Sequence, residues 1–251
     1  MARVLVDTVT LFRREMLRYR RDRAYWVGQL AFPLAFVAFI GFGLDRVVTL
    51  PTGIDYVAHI ASGALALVIA SAGVGGGFTL IEDRQSGFLR TLLVAPVSRS
   101  SLVLGKIAAR VVASLALALV MLGLLAPFTA LRLPHPAVLV FAIAGLTTAF
   151  VALGIVLASA LRSLESFRLL SAFATIPIYL LSGIFYPLAA LPVVTRALAS
   201  ANPFTYGVDL LRYALLDVHE VPVGFSAAVL AVLMLVSALV AVAAVDRWTR
   251  D

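Results

Sequence analysis

The chain has 251 residues, of which 62% are hydrophobic and only 13% charged, whereas soluble globular proteins are about half apolar and about a quarter charged. This composition supplies too little polar surface for a soluble domain, and it also excludes a disordered, collagen-like or coiled-coil chain. The absence of cysteine excludes disulfides and thiolate metal sites, and the formal net charge of +7 comes from basic residues beside apolar segments, which indicates a membrane rather than a nucleic-acid partner.

Residues 1–23 predict an amphipathic helix ahead of the first apolar stretch. Its apolar side recurs at helical spacing and consists of Leu5, Val9, Phe12, Met16 and Tyr19. Its other side is mainly basic, which suits a helix that lies among lipid headgroups on the cytoplasmic surface. Two interpretations follow: an orienting anchor, or a helix that supports a gate and also contacts a cytoplasmic partner.

Six apolar stretches are long enough to cross a membrane, because about 20 helical residues span a hydrocarbon core of roughly 30 Å. They occupy residues 24–44, 57–80, 102–126, 137–161, 169–189 and 223–245. Lys106 and Arg110 fall in the first turns of the third, where their long stems are expected to reach the headgroups. The sequence therefore predicts an all-α polytopic protein with one six-span domain (24–245) and a short tail (246–251).

The distribution of basic residues predicts the orientation. Sixteen of the twenty lie at the N-terminus, around the connections after spans two and four, or in the tail; only Arg46, Arg132, Arg196 and Arg212 lie on the other side. Lys and Arg accumulate in cytoplasmic connections. Both termini of this multi-pass protein are therefore predicted to be cytoplasmic.

The connection between spans two and three combines charge with an apolar face. It opens with a charged group and a residue that permits a turn: Glu82, Asp83, Arg84 and Gly87. A short helix is predicted next, with one apolar face made of Phe88, Leu89, Leu92 and Leu93. Pro96 ends this helix, and Ser98 or Ser100 is expected to cap the next one. The apolar face indicates a helix that either lies flat on the bilayer or docks in the groove of a partner protein.

Two apolar spans carry unusual residues. The run Gly73–Gly77 in span two favours close helix packing over a hinge. Pro33, Pro177 and Pro187 are expected to kink spans one and five. Gln29 and Tyr179 are polar groups on an aromatic-rich surface, where the glutamine either contacts a substrate or hydrogen-bonds a neighbouring helix.

The segment between spans five and six is too apolar for an ordinary loop. Asn202 is predicted to cap a helix with Pro203 at its first position. Asp209 and Arg212 stand three residues apart on this helix and are expected to pair. The sequence predicts a helix at the outer interface.

Three motifs, in order along nearly the whole chain, resemble the type-2 ATP-binding-cassette (ABC) permease family. They are the run 82–99 followed by Leu104-Gly105-Lys106, the run 181–187 ahead of Leu191-Pro192, and the run 202–212, which begins Asn-Pro-Phe-Thr-Tyr. The family consists of membrane subunits of bacterial drug, polysaccharide and lipo-oligosaccharide exporters. The chain is most similar to the daunorubicin-resistance and nodulation lipo-oligosaccharide subset.

This resemblance implies a half-transporter in the bacterial plasma membrane. Two permease subunits, identical or related, pair with two ABC ATPase subunits that bind ATP and Mg²⁺ and drive efflux. The chain itself has no G-x-x-x-x-G-K-[ST] motif, since Gly105-Lys106 is followed by Ile107. It is therefore expected to be neither an ATPase nor another enzyme, and to hold no metal or cofactor of its own.

The resemblance also assigns roles to residues. The ATPase-docking, or coupling, helix corresponds to Glu82, Asp83, Arg84, Gly87, Phe88, Leu89, Leu92 and Leu93. The substrate pathway and the seam between two permease subunits correspond to spans one and five, with Gln29, Pro33, Tyr179 and Phe185. The gate at the outer end corresponds to Asn202, Pro203, Phe204, Tyr206, Asp209 and Arg212. Substrates of such a family are amphipathic, drug-like or linked to lipid or glycan.

Two other function classes are alternatives to an ABC permease. A proton-coupled secondary transporter needs buried ionisable relays, yet the central parts of the spans contain no Asp or Glu, and His59 and His135 lie near the ends. A membrane sensor or scaffold subunit that transports nothing is the other alternative. An adjacent gene for a P-loop ATPase would favour the ABC interpretation.

Overall fold

The computed structural model describes residues 2–49, 53–88, 98–129, 131–161 and 163–248, and it contains no β-strand within those ranges. Nine α-helices of nine residues or more lie there: α1 (Ala2–Arg21), α2 (Arg23–Phe36), α3 (Tyr56–Gln85), α4 (Arg99–Leu125), α5 (Pro136–Ala160), α6 (Leu164–Leu180), α7 (Val193–Ala201), α8 (Pro203–Leu216) and α9 (Val223–Trp248). A π-helical turn, Val37–Gly41, and a last α-turn, Phe42–Leu44, extend α2. The predicted all-helical fold is confirmed for these residues.

Side-chain caps explain where several helices begin. The carboxylate of Asp22 accepts from the backbone N–H of Tyr25 at the start of α2, and Asp55 accepts from Val57 at the start of α3. Ser98, one of the two predicted caps, begins α4 by accepting from Ser101 N–H. Asn202 begins α8 with Pro203 in the first turn, as its sequence predicted. Each cap satisfies a backbone donor that the helix itself leaves free.

Five helical stretches in the described chain have the length and hydropathy of membrane spans. They are Arg23–Leu44, Tyr56–Gln85, Arg99–Phe128, Pro136–Ala160 and Val223–Arg247, with mean hydropathy of 1.9 to 2.9. Several such helices in one chain make it a multi-pass membrane protein.

The predicted fifth span, 169–189, differs from the helix that forms there. Helix α6 starts earlier, at Leu164 after the capping Ser163, and ends at Leu180, which gives 17 residues. It ends because the chain turns at Gly183, whose φ of 74° favours glycine. At about 1.5 Å per residue, α6 is about 25 Å long and shorter than a typical span.

Helix α3 lies at the centre of the bundle and is buried along most of its length. Its glycine run allows this, because α5 packs directly on it. A Cβ on Gly73 would lie 2.5 Å from the Cβ of Phe150, and one on Gly77 would overlap the backbone of Gly154. The run therefore serves close helix packing, which is the interpretation that the sequence favoured.

Helix α1 lies along α4 with only part of the predicted apolar side buried. Tyr19 of that side is buried, but Leu5 and Val9 are 65% and 60% exposed, and the buried residues include Leu11 and Glu15, which the prediction left out. The helices approach closely at Gly105, where a Cβ would lie 2.9 Å from the Cβ of Leu11. The prediction was wrong in part because it assigned only apolar residues to the buried side of α1, whereas Glu15 is also buried. Its partner is a lysine of α4.

Candidate functional site

A buried lysine joins α1, α3 and α4 at one end of the bundle. Lys106 Nζ lies 2.8 Å from Asp83 Oδ2, 2.9 Å from Glu15 Oε1 and 3.1 Å from Thr79 Oγ1, so all three of its donors are used. The side chains of Lys106, Glu15 and Asp83 are each 2% exposed. The expectation that Lys106 reaches the headgroups is therefore wrong; its stem points into the protein.

Two arginines of α1 complete this group, which we call the Lys106 cluster (Arg14, Glu15, Arg18, Glu82, Asp83 and Lys106). Arg14 Nη2 donates to Asp83 Oδ1 over 2.6 Å, and Arg18 forms an ion pair with Glu82. Burial alone would lower the pKa of Arg18, but the charge of Glu82 and its hydrogen bond raise that pKa above its ordinary value. Burial also raises the pKa of Tyr19, which keeps its hydroxyl protonated as a donor to Glu15 over 3.4 Å.

The Lys106 cluster holds both ends of the connection between α3 and α4. Glu82 and Asp83 belong to the last turns of α3, and Lys106 belongs to the second turn of α4. Asp83 was predicted to face an ATPase, but its carboxylate faces α1 and α4. The cluster therefore connects α1 to both helices that flank this connection.

The other predicted docking residues are only partly described. Arg84 Nη1 lies 3.4 Å from the carbonyl of Leu161, and Gly87 adopts a φ of 75° that reverses the chain after α3. The ring of Phe88 lies 3.6 Å below the Arg14 guanidinium and is half-buried. Leu89, Leu92 and Leu93 lie outside the described residues, so their docking role stays a prediction.

Arg110, one turn beyond Lys106, has a role that the sequence reading missed. Its guanidinium donates to the carbonyls of Ala72 (2.9 Å) and Gly75 (2.7 Å) in α3 and to the Tyr25 hydroxyl (3.1 Å) in α2. A Cβ on Gly75 would lie 3.0 Å from Arg110 Nη1, so the glycine makes room for it. Arg110 is therefore buried and does not reach the headgroups. The sequence feature that indicates this is the presence of two cations, Lys106 and Arg110, four residues apart in an apolar helix.

The four residues predicted for the pathway and seam lie around one apolar groove between α2, α3 and α6. Its volume is about 340 Å³, and its lining consists of Gly28, Gln29, Phe32, Pro33, Phe36, Leu67, Ser71, Ile176, Tyr179, Leu180 and Phe185. Gln29 Oε1 accepts from the Ser71 hydroxyl over 2.6 Å. This is the hydrogen bond to a neighbouring helix that the sequence suggested as one of two alternatives. The amide N–H groups of Gln29 carry no hydrogen bond to the described residues.

A second buried polar group, the Arg212 cluster (His59, Gly183, Asp209, Arg212, Glu220 and Ser226), lies at the other end of the bundle. Arg212 Nη2 donates to Gly183 O over 2.8 Å and lies 3.3 Å from His59 Nε2, while Nη1 lies 3.3 Å from Glu220 Oε1. Burial lowers the pKa of Arg212, and the charges of Glu220 and Asp209 oppose that shift.

The predicted pairing of Asp209 with Arg212 is wrong. Asp209 Oδ1 accepts from the backbone N–H of Glu220 over 2.8 Å, and its Oδ2 accepts from the Ser226 hydroxyl over 3.1 Å. Each side chain instead fixes a different part of the chain around α8. The sequence reading had placed neither His59 nor Glu220 at this site.

The remaining residues predicted for the outer gate make internal contacts. Asn202 Nδ2 donates to the carbonyl of Ile178 in α6 over 2.9 Å, and Phe204 stacks on Phe150 of α5 with ring centroids 4.2 Å apart. The Tyr206 hydroxyl donates to Ser200 O over 2.7 Å, and Pro203 begins α8. These contacts fasten α8 to α5, α6 and α7.

Comparison with known proteins agrees with this architecture. The family model for the ABC-2 type transporter matches residues 7–216. Nodulation protein J of Rhizobium leguminosarum bv. viciae is 28% identical, over 96% of this chain and 95% of its own. The inner membrane transport permease YadH of Escherichia coli K12 is 26% identical, over 95% of this chain and 94% of its own.

These matches confirm the family resemblance read from the three motifs. They describe a transport permease rather than a catalytic domain, and the family implies an ABC transporter with an ATPase partner. The chain belongs to the ABC-2 type transporter family of membrane permeases.

Proposed function

We propose that this chain is the membrane-spanning subunit of an ATP-driven exporter in the bacterial plasma membrane. Two copies, or this chain and a related one, would assemble with two separate ATPase subunits that bind ATP and Mg²⁺. The observation that carries the proposal is the Lys106 cluster, which ties both ends of the predicted docking connection to the bundle.

The cluster suits transmission of force because it is buried and ionic. Breaking the contact between Lys106 and Glu15, whose side chains are each 2% exposed, separates two opposite charges away from water, which is costly. A push on the connection therefore moves α1, α3 and α4 as one unit instead of bending the loop. Closure of the ATPase subunits on ATP would in this way rearrange the membrane helices.

The groove between α2, α3 and α6 is the proposed substrate surface. Four of its eleven lining residues are aromatic, and the free amide N–H groups of Gln29 offer a polar contact. Phe32, Phe173 and Ile176 on α2 and α6 are exposed in the single chain. A second permease subunit against these two helices would cover them and enclose the pathway between the subunits, which fits an amphipathic, drug-like or lipid- or glycan-linked substrate.

The proposed topology has six crossings, with α6 as the short fifth one and α7 and α8 at the outer surface. It predicts that Ala201, which is exposed at the end of α7, faces outward, and that Gln85, exposed at the end of α3, faces the cytoplasm. The chain lacks cysteine, so Ala201→Cys and Gln85→Cys each give one reporter. We expect a membrane-impermeant maleimide to label the first variant in intact cells and the second only after lysis; the reverse pattern would reject this orientation.

Docking is tested with the predicted apolar face of the connection. Leu92→Asp combined with Leu93→Asp adds two charges there and spares Phe88, whose ring packs on Arg14 within the chain. We expect the affinity for the partner ATPase subunit to fall at least about tenfold, because buried apolar anchors dominate such interfaces. ATP turnover of the reconstituted complex should fall with it.

A matched control uses Leu133, an apolar residue that is exposed at the opposite end of the bundle with a positive φ of 53°. Leu133→Asp introduces the same chemistry in a conformation that Asp tolerates better than Leu, and it should leave assembly unchanged. Normal co-purification and ATP turnover in the double variant would refute the docking role. Transport without any ATPase would instead support a secondary transporter.

A further inference from the structure

Helix α1 carries an open groove along its second half. Its lining consists of Arg14, Leu17, Arg18, Arg21 and Asp22, and its volume is about 660 Å³. Three guanidinium groups thus line a space of headgroup size, together with the carboxylate of Asp22, whose Oδ1 accepts from the backbone N–H of Tyr25. The Lys106 cluster uses Arg14 and Arg18 from one side only, and both remain more than one-third exposed.

The surroundings of this groove contain exposed arginines that form no ion pair with the described residues. Arg13, Arg20, Arg21 and Arg23 are exposed, and within the described residues no carboxylate lies within 4.0 Å of their guanidinium nitrogens. Arg13, Leu17 and Arg21 recur every fourth residue and therefore share one helix face. The face has positive charge without a partner in this part of the chain.

The groove lies where the membrane surface must be. Helix α1 ends at Arg21 and the first spanning segment begins at Arg23. Tyr25 and Trp26 follow in the first turn of that segment, and Trp26 Nε1 donates to Tyr19 O over 2.9 Å. Because Trp and Tyr sit at headgroup level, the arginines of the groove lie at the depth of the lipid phosphates.

We propose that this groove binds the phosphate of an anionic phospholipid. Leu17 lines the groove beside the guanidinium groups, and Leu5 and Val9 are exposed nearer the start of α1. A helix with apolar and basic residues together is suited to an anionic lipid surface. Arg also binds phosphate with paired N–H donors. An acidic face of a protein partner is the competing occupant that the experiment below separates.

The test measures lipid binding to the purified full-length chain, and it does not depend on export. The variant combines Arg21→Gln, which removes a charge that lines the groove, with Arg13→Gln on the same helix face. It leaves Arg14 and Arg18 in the Lys106 cluster. Native mass spectrometry follows titration with phosphatidylglycerol and, separately, phosphatidylcholine. The control is Arg247→Gln, an exposed arginine at the end of α9.

We expect the unmodified chain to bind phosphatidylglycerol more tightly than phosphatidylcholine. The double variant should bind phosphatidylglycerol about tenfold more weakly with no change for phosphatidylcholine, and Arg247→Gln should change neither more than about twofold. Equal binding of the two lipids, or an unaltered double variant, overturns the proposal. Displacement of phosphatidylglycerol by inorganic phosphate at equal concentration would make the groove a site for free phosphate. Loss of ATPase association in the double variant, with lipid binding intact, would assign the surface to a protein partner.

Discussion

Replacing Lys106 by methionine is expected to lower the free energy of unfolding by about 3–5 kcal/mol, because it leaves two buried carboxylates without their shared cation. Asp83 keeps Arg14 as a partner at 2.6 Å, but Glu15 loses its 2.9 Å contact and keeps only weaker ones at 3.4 and 3.5 Å. Methionine fills a similar volume, so the loss is electrostatic rather than a cavity effect. Thermal unfolding of the chain in detergent measures it.

A second substitution separates charge imbalance from loss of structure. Lys106→Met combined with Glu15→Gln removes one charge of each sign and leaves the pair Arg14–Asp83 in place. Most of the lost stability should return, since replacing a buried ion pair as a whole is often nearly neutral. If the double variant is as unstable as the sum of the two single ones, the ionic contact between Lys106 and Glu15 does not account for the effect.

Hydropathy alone predicted most of the helical framework. The apolar stretches 24–44 and 137–161 match Arg23–Leu44 and Pro136–Ala160 to within a residue. It failed at the fifth stretch because the sequence stays apolar from Leu169 to Ala189, whereas the helix ends at Leu180. The turn at Gly183 depends on backbone conformation, which a hydropathy average does not report.

The polar clusters could not be predicted because their members are far apart in sequence. Lys106 and Glu15 are separated by 91 residues, and Arg212 and His59 by 153. Local spacing suggested nearer partners, such as Asp209 for Arg212, or lipid headgroups for Lys106. The residues of the groove were easier to find, since proline, glutamine and aromatic residues stand out within apolar helices.

The two clusters fix the central helix at its two ends. Asp83 belongs to the Lys106 cluster and His59 to the Arg212 cluster, and 24 residues of α3 separate them, about 36 Å of helix. Between them, α3 packs closely on α5 through glycine backbone, and Arg110 donates to the carbonyls of Ala72 and Gly75. The central helix is therefore also attached at its middle.

Arg212→Met tests the attachment at the Arg212 cluster. We expect it to cost about 3 kcal/mol of stability, toward the lower end for a broken buried ion pair because Glu220 is 14% exposed. The Gly183 carbonyl also loses its 2.8 Å donor, so the turn after α6 is held less firmly. Thermal unfolding in detergent gives the loss of stability. Protease sensitivity of the segment 181–192 should rise in parallel.

The matched variant combines Arg212→Met with Glu220→Gln. It removes the unpaired carboxylate but keeps the backbone N–H of residue 220 as a donor to Asp209. Thermal stability should recover in large part, while the turn at Gly183 stays protease-sensitive because no donor replaces Arg212 Nη2. If both thermal stability and protease resistance recover, the charge of Glu220, and not the bond to Gly183, makes Arg212 necessary. If neither recovers, the ion pair between Arg212 and Glu220 contributes little to the folded state.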